Sequence, residues 1–144
     1  MASKLYGQFL SQALNKEIDW DTDTIKVALL TNAYTPDQDS HNYLDDVVAN
    51  EVSGTGYTAG GYTLANKTNT YNSGSNVIVL DADDVTWSSS TITARYAVVY
   101  DASPATNATR PLIGYVDFGS DQSSSNGNFT ITWDATGIVR ITVA

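Results

Sequence analysis

Residues 91–101 read TITARYAVVYD, and the alternation along them decides the class of fold. Side chains of an extended strand point to opposite sides in turn, so Ile92, Ala94, Tyr96, Val98 and Tyr100 are expected on one face. The same period recurs in NFTITW through Phe129, Ile131 and Trp133, and in GIVRITVA through Val139, Ile141 and Val143. Between these runs stand ASPATNATRP, GSDQSSSNGN and DATG, made of residues that favour turns. Their short spacing fits a sandwich or barrel, and from Asp81 onward the sequence predicts one amphipathic strand after another.

Working back toward the amino terminus, KTNTYNSGSNVIVLDADDVTW sets Val77 and Val79 against Ile78 and Leu80 before an acidic turn. In TIKVALLT, Ile25, Val27 and Leu29 alternate with Lys26, Ala28 and Leu30, which predicts a central strand buried on one face and partly covered on the other. GTGYTAGGYT carries Gly54, Gly56, Gly60 and Gly61 and reads as an irregular loop or a poorly regular strand pair. Two segments have a helical period instead. Leu5, Phe9 and Ala13 beside Tyr6, Leu10 and Leu14 form adjacent rows four apart, predicting an amphipathic helix over 1–18, capped by Ser3. Its stripe needs a partner, either the same domain's sheet or a neighbouring subunit. Tyr43, Leu44, Val47 and Val48 predict a short second helix or a couple of turns near 40–49, with Asp39 or Ser40 as cap. The fold expected is mainly β: an antiparallel β-sandwich, jelly-roll-like, in one domain over 1–144 with those two helices.

Composition narrows the function classes. A chain of 144 residues fits one domain burying roughly two thirds of the unfolded surface, and 42% hydrophobic residues suit a packed core. Sixteen acidic residues against seven basic give a formal charge of −9, which repels phosphate backbones and anionic lipids, so neither nucleic acid nor membrane is expected as a partner. No apolar run approaches the roughly 20 residues of a membrane span, and no secretory leader is recognisable. Cysteine is absent, which removes disulfide and thiol chemistry.

Several stretches imitate functional motifs. Asp19, Asp21 and Asp23 open like a calcium loop, but Thr24 stands where the turn needs glycine and Leu30 where it needs glutamate. Asp81, Asp83 and Asp84 offer oxygen ligands in a turn, an arrangement that ordinarily faces water, and no metal or other cofactor is expected. His41 is the only histidine, so zinc sites of histidine and cysteine are excluded; between Ser40 and Asn42 it is expected to be solvated or to cap a turn. Paired carboxylates about 5 to 10 Å apart would suffice for a glycosidase, yet no spacing among the acids selects a pair. No catalytic residue is assigned. Asn66, Asn107 and Asn128 each head an Asn-x-Thr triplet and read as ordinary loop and strand residues.

Four blocks in order, LNKEIDWDTDTIKVALLTNAYTPDQDSH (14–41), LDADDVTW (80–87), TITARYAVVY (91–100) and PLIGYVDFGSDQSSSNGNFTITWD (111–134), resemble small structural proteins of tailed bacteriophages. The resemblance spans nearly the whole chain. It implies a non-enzymatic virion component made in the host cytoplasm, a capsid decoration or cement protein on the capsid exterior. The implied partners are the major capsid protein and further copies of the chain, as a trimer. The alternative is a tail or fibre component whose sandwich binds carbohydrate or a receptor through a coplanar pair of exposed aromatics. Aromatic anchors suit either role. Trp20, Tyr34, Tyr57 and Tyr62 in the less regular half are the candidate interface, while Trp87, Tyr96 and Trp133 are expected in the core.

Overall fold

A computed structural model describes residues 2–143. In chain order the elements are β1 (Ala2–Leu5), α1 (Phe9–Leu14), β2 (Ile25–Leu30), 3-10 turns at Leu44–Asp46 and Val48–Asn50, and β3 (Tyr62–Thr63). Then follow β4 (Thr68–Asn72), β5 (Val77–Asp81), β6 (Val85–Asp101), a 3-10 turn at Asn107–Thr109, β7 (Leu112–Ile131) and β8 (Val139–Thr142). The strands form a sheet of order β1-β7-β6-β2-β3 and a smaller one of order β4-β5-β8, every pair antiparallel. Packed together they make the expected antiparallel β-sandwich. Among the described residues no helix is long and apolar enough to cross a membrane.

The middle of the larger sheet, where β2 lies beside the second half of β6 and the start of β7, is buried on both faces. Toward the smaller sheet, Ile25, Val27, Leu29, Ala97, Val99 and Ile113 join Leu80, Val139, Trp87 and Phe129 in one core. On the opposite face Ala28, Leu30, Val98, Tyr100 and Leu112 pack beneath Tyr6, Tyr34, Leu44 and Val47, supplied by β1's exit and by residues 31–50. β2 is therefore central and covered on both sides, as its mixed alternation predicts. Burying one such aliphatic side chain contributes roughly 1.5–3 kcal/mol, and the irregular segment over the second face is held by this packing together with isolated bridges, Tyr43 to Pro111 and Leu30 to Glu51, in place of a continuous ladder.

The strand that decides the class departs from strict alternation. Ile92 and Ala94 lie in the core between the sheets, whereas Tyr96, Val98 and Tyr100 lie on the other face. The cause is a bulge. Ala94 pairs with Gln122 and Tyr96 with Asp117, so Phe118–Asp121 loop out opposite Arg95, and the facing of β6 slips by one residue. Arg95 closes the bulge with two hydrogen bonds to Asp117, at 2.7 and 3.3 Å.

Three further expectations are corrected. GSDQSSSNGN is not a turn but part of β7, because β6 extends beside it and side-chain hydroxyls cross the pair: Thr93 to Ser123 and Ser90 to Ser124, both 2.7 Å. Cross-strand pairing thus overrides weak local propensity. The helix expected over 1–18 shrinks to Phe9–Leu14. Residues 2–5 instead pair with Gly114–Asp117 of β7, and Gly7, a poor helix former, separates the two. The segment near 40–49 makes two 3-10 turns, the couple of turns expected there as the alternative to a short helix, and what is corrected is its cap. Neither Asp39 nor Ser40 caps it; the Asp46 carboxylate does, accepting from the Asn42 and Tyr43 N–H groups.

The glycine-rich stretch is a loop with only the short β3 in it. Gly61 has φ +79°, and a Cβ there would run into the Val27 carbonyl, so glycine lets this loop lie directly against β2.

Candidate functional site

The four aromatics of the expected interface do not form one surface. Trp20 is 5% exposed and its indole N–H donates to the Thr68 carbonyl at 2.9 Å, tying the 19–23 turn to β4. Tyr34 is 2% exposed; its hydroxyl meets the Tyr6 hydroxyl at 2.8 Å and His41 Nδ1 at 3.0 Å, and its ring stands edge-on to Tyr96. Both are therefore corrected from surface anchors to core residues. Tyr57 is half-buried, its ring 5.8 Å from Trp87. Tyr62 is exposed at 46% and packs edge-on against the same indole. Structure thus brings Tyr57 and Tyr62 together over Trp87 and leaves only Tyr62 facing out. Trp87 and Tyr96 are in the core as expected, and Trp133 is half-buried against it.

Tyr57 is fixed rather than free. It accepts from the Leu29 N–H at 3.0 Å and donates to Glu51 Oε1 at 2.7 Å, and the same oxygen accepts from the Gly60 N–H at 2.6 Å. Burial first, and then Glu51, push the Tyr57 hydroxyl well above the ordinary tyrosine range. Tyr100 donates to the Gly60 carbonyl at 2.7 Å, and burial pushes it up to about 12. Burial likewise raises Tyr34 to about 12, and raises Tyr6 further still, with the Tyr34 hydrogen bond adding to the effect. These hydroxyls are neutral hydrogen-bonding posts that hold loops to the sheet.

The other motif residues also have local partners. Asp19 Oδ1 accepts from the Asp21 and Thr22 N–H groups, and the Thr22 bonds hold its carboxyl below the ordinary range. The 81–84 acids point to different neighbours: Asp83 accepts from Asn66 at 2.6 Å and Asp84 from the Trp133 N–H at 2.9 Å. Among the described residues no three of His, Asp and Glu gather as a metal site. His41 caps a turn, as one of its two expected roles has it: half-buried, its Nδ1 accepts from the Asp37 backbone N–H at 3.4 Å and is also hydrogen-bonded to the Tyr34 hydroxyl at 3.0 Å. One acid pair stands out. Asp101, 0% exposed, uses Oδ1 to accept from the Ser103 N–H at 2.8 Å, while its Oδ2 has no partner atom. Burial, reinforced by Asp23 beside it, pushes its carboxyl up to about 6.

A cleft of about 400 Å³ lies at one side of the sandwich, between β1 and β7 of the larger sheet and β8 of the smaller. Leu5, Ile113, Ile131 and Val139 give it an apolar lining, and Trp133 lines it with an indole anchored to the Asp83 carbonyl at 3.0 Å. Lys4 and Arg140, both exposed, and Asp134 also line it. The Asp134 carboxylate is engaged by the Thr136 N–H and hydroxyl at 2.8 and 2.6 Å, which hold it below the ordinary range. Sequence periodicity marks Ile131, Trp133 and Val139 as strand residues but carries no sign of the gap between them, because the gap depends on how two sheets splay. The most exposed tyrosines, Tyr62 and Tyr71, stand on different sheets and do not form the coplanar pair of a sugar platform. Compared with known proteins, the chain matches no protein-family model, no curated protein and no solved structure.

Proposed function

We propose that this chain is a non-enzymatic structural component of a virion, a head decoration protein that sits as a homotrimer on the outer face of the shell built by the major capsid protein. The observation that carries assembly is the helix α1. Phe9 is buried and seats the helix, whereas Leu10 is 44% and Leu14 85% exposed, so these two leucines stay open to a neighbour. Adjacent exposed leucines on a packed helix mark a surface for association. The block resemblance supports the virion setting, since two of its four blocks fall in the β6–β7 pair at the centre of the fold. A protein that binds only the expanded lattice stabilises that state by mass action, and a trimer multiplies weak contacts into avidity.

Quantitative mass spectrometry of purified particles tests the reading. Copies comparable to those of the capsid subunit are expected, and shells lacking the protein should burst at lower temperature and milder osmotic shock. A handful of copies per particle, or equal resistance with and without it, would overturn the decoration role. Leu10→Asp and Leu14→Asp should leave the melting temperature of the free chain almost unchanged, within about 0.5 kcal/mol for exposed positions, while abolishing oligomerisation and shell binding.

A further inference from the structure

We propose that the cleft between β1 and β8 receives an extended acidic segment of a partner chain, which pairs through its backbone with the free strand edges beside it. This reading goes beyond the virion proposal and does not depend on it.

Three observations converge. The cleft of about 400 Å³ falls in the size range of ligand pockets, roughly 300–1,000 Å³, and its lining is apolar where side chains of an inserted strand would rest. Both strands at its margins are sheet edges: β1 pairs only with β7, and β8 only with β5, among the described residues. Each presents unpaired backbone N–H and C=O groups along one side, the template for strand addition. The local charge is reversed relative to the whole molecule. A chain with sixteen acidic and seven basic residues lines this cleft with Lys4 and Arg140 against the single acid Asp134. Asp134 is already turned to Thr136. Arg95–Asp117 is the one ion pair among the described residues, so Lys4 and Arg140 have no carboxylate partner. Arg140 also acts at a distance on Asp134, but neither cation is in a contact ion pair, so an incoming carboxylate meets two cations there and a basic segment meets them as repulsion.

The test uses the intact chain and a fluorescein-labelled hexapeptide of alternating valine and glutamate, with the valine–lysine counterpart as control. Fluorescence polarisation at low salt should show binding of the acidic peptide only, and amide shifts in two-dimensional NMR should fall on β1, β8 and the 131–138 segment. Trp133 emission should change, while Trp20 and Trp87, buried elsewhere, stay constant. Lys4→Glu with Arg140→Glu should weaken the acidic peptide at least about tenfold and favour the basic one; both positions are exposed, and an unchanged melting temperature verifies the fold. Equal binding of the two peptides, shifts mapping outside the cleft, or indifference to the charge reversal would each overturn the proposal. So would complete displacement of the peptide by octanoate at equal concentration, which would make the cleft a pocket for small acids.

Discussion

The two faces of the larger sheet are built by different means. Toward the smaller sheet, aliphatic side chains and indole meet side chains of another sheet, and strands cover strands. On the other face, residues 31–50 form the cover, with two short 3-10 turns, and the contact carries the hydroxyls of Tyr6, Tyr34 and Tyr100, each with a hydrogen-bond partner. A regular element satisfies its own backbone and offers a smooth apolar stripe. An irregular one must be pinned, and a tyrosine supplies both the apolar body and the pin.

Leucine truncation on each face breaks the comparison most strongly. Leu29→Ala, in the core between the sheets, should cost about 3–5 kcal/mol, with fluorescence and far-ultraviolet dichroism melting together. Leu44→Ala, under the loop cover, should cost about 2–4 kcal/mol and release residues 31–50 in amide exchange before the sheet opens. If both variants open every amide together, the two faces are one cooperative unit. Tyr34→Phe comes next. It strands the buried Tyr6 hydroxyl and removes the bond to His41, at a cost of about 1–3 kcal/mol; an unchanged urea midpoint would mean that packing alone holds the loop.

The smallest effect separates the tyrosine face from the one buried acid. Burial keeps Tyr6, Tyr34 and Tyr100 protonated well into alkaline conditions, so they contribute no slope near neutrality. Asp101 has a folded value raised to about 6. Its contribution to stability is complete below the unfolded value and is lost as pH rises through about 6. Asp19, Asp37, Asp117 and Asp134 are shifted downward; they contribute above the unfolded value and lose that as pH falls. Between about pH 4.5 and about pH 7.5 the Asp101 slope dominates. Asp101→Asn should flatten the fall of the urea midpoint across that window, gaining on the order of 1–2 kcal/mol at the upper end. The amide introduced by this substitution can donate to Asp23, so packing is kept. Parallel curves for the two proteins would remove Asp101 as the source.

Legibility differs along these lines. Ile25, Val27 and Leu29, and again Phe129 and Ile131, sit where their alternation places them, because a regular strand with one apolar row has one way to bury it. The candidate interface is less legible. Trp20 and Tyr34 occupy irregular segments, and irregularity in sequence suggests exposure, whereas these loops are folded onto the sheet by the very aromatics expected to point outward. The cleft leaves no local trace, since its lining joins the contiguous 131–140 stretch to residues 3–5 of β1 and 113–116 of β7, and only the fold brings those three segments together.

Local patterning was enough to establish the sandwich class, the central position of β2 and the acidic character, because side-chain period is a property of neighbours along the chain and net charge a property of composition. The slip at Arg95, the extension of β7 through GSDQSSSNGN and the burial of Trp20 and Tyr34 emerge only in the folded molecule. Each of these depends on pairing partners distant in sequence. Where cross-strand hydrogen bonds and packing outweigh local preference, only the folded chain reveals which side of a strand faces inward.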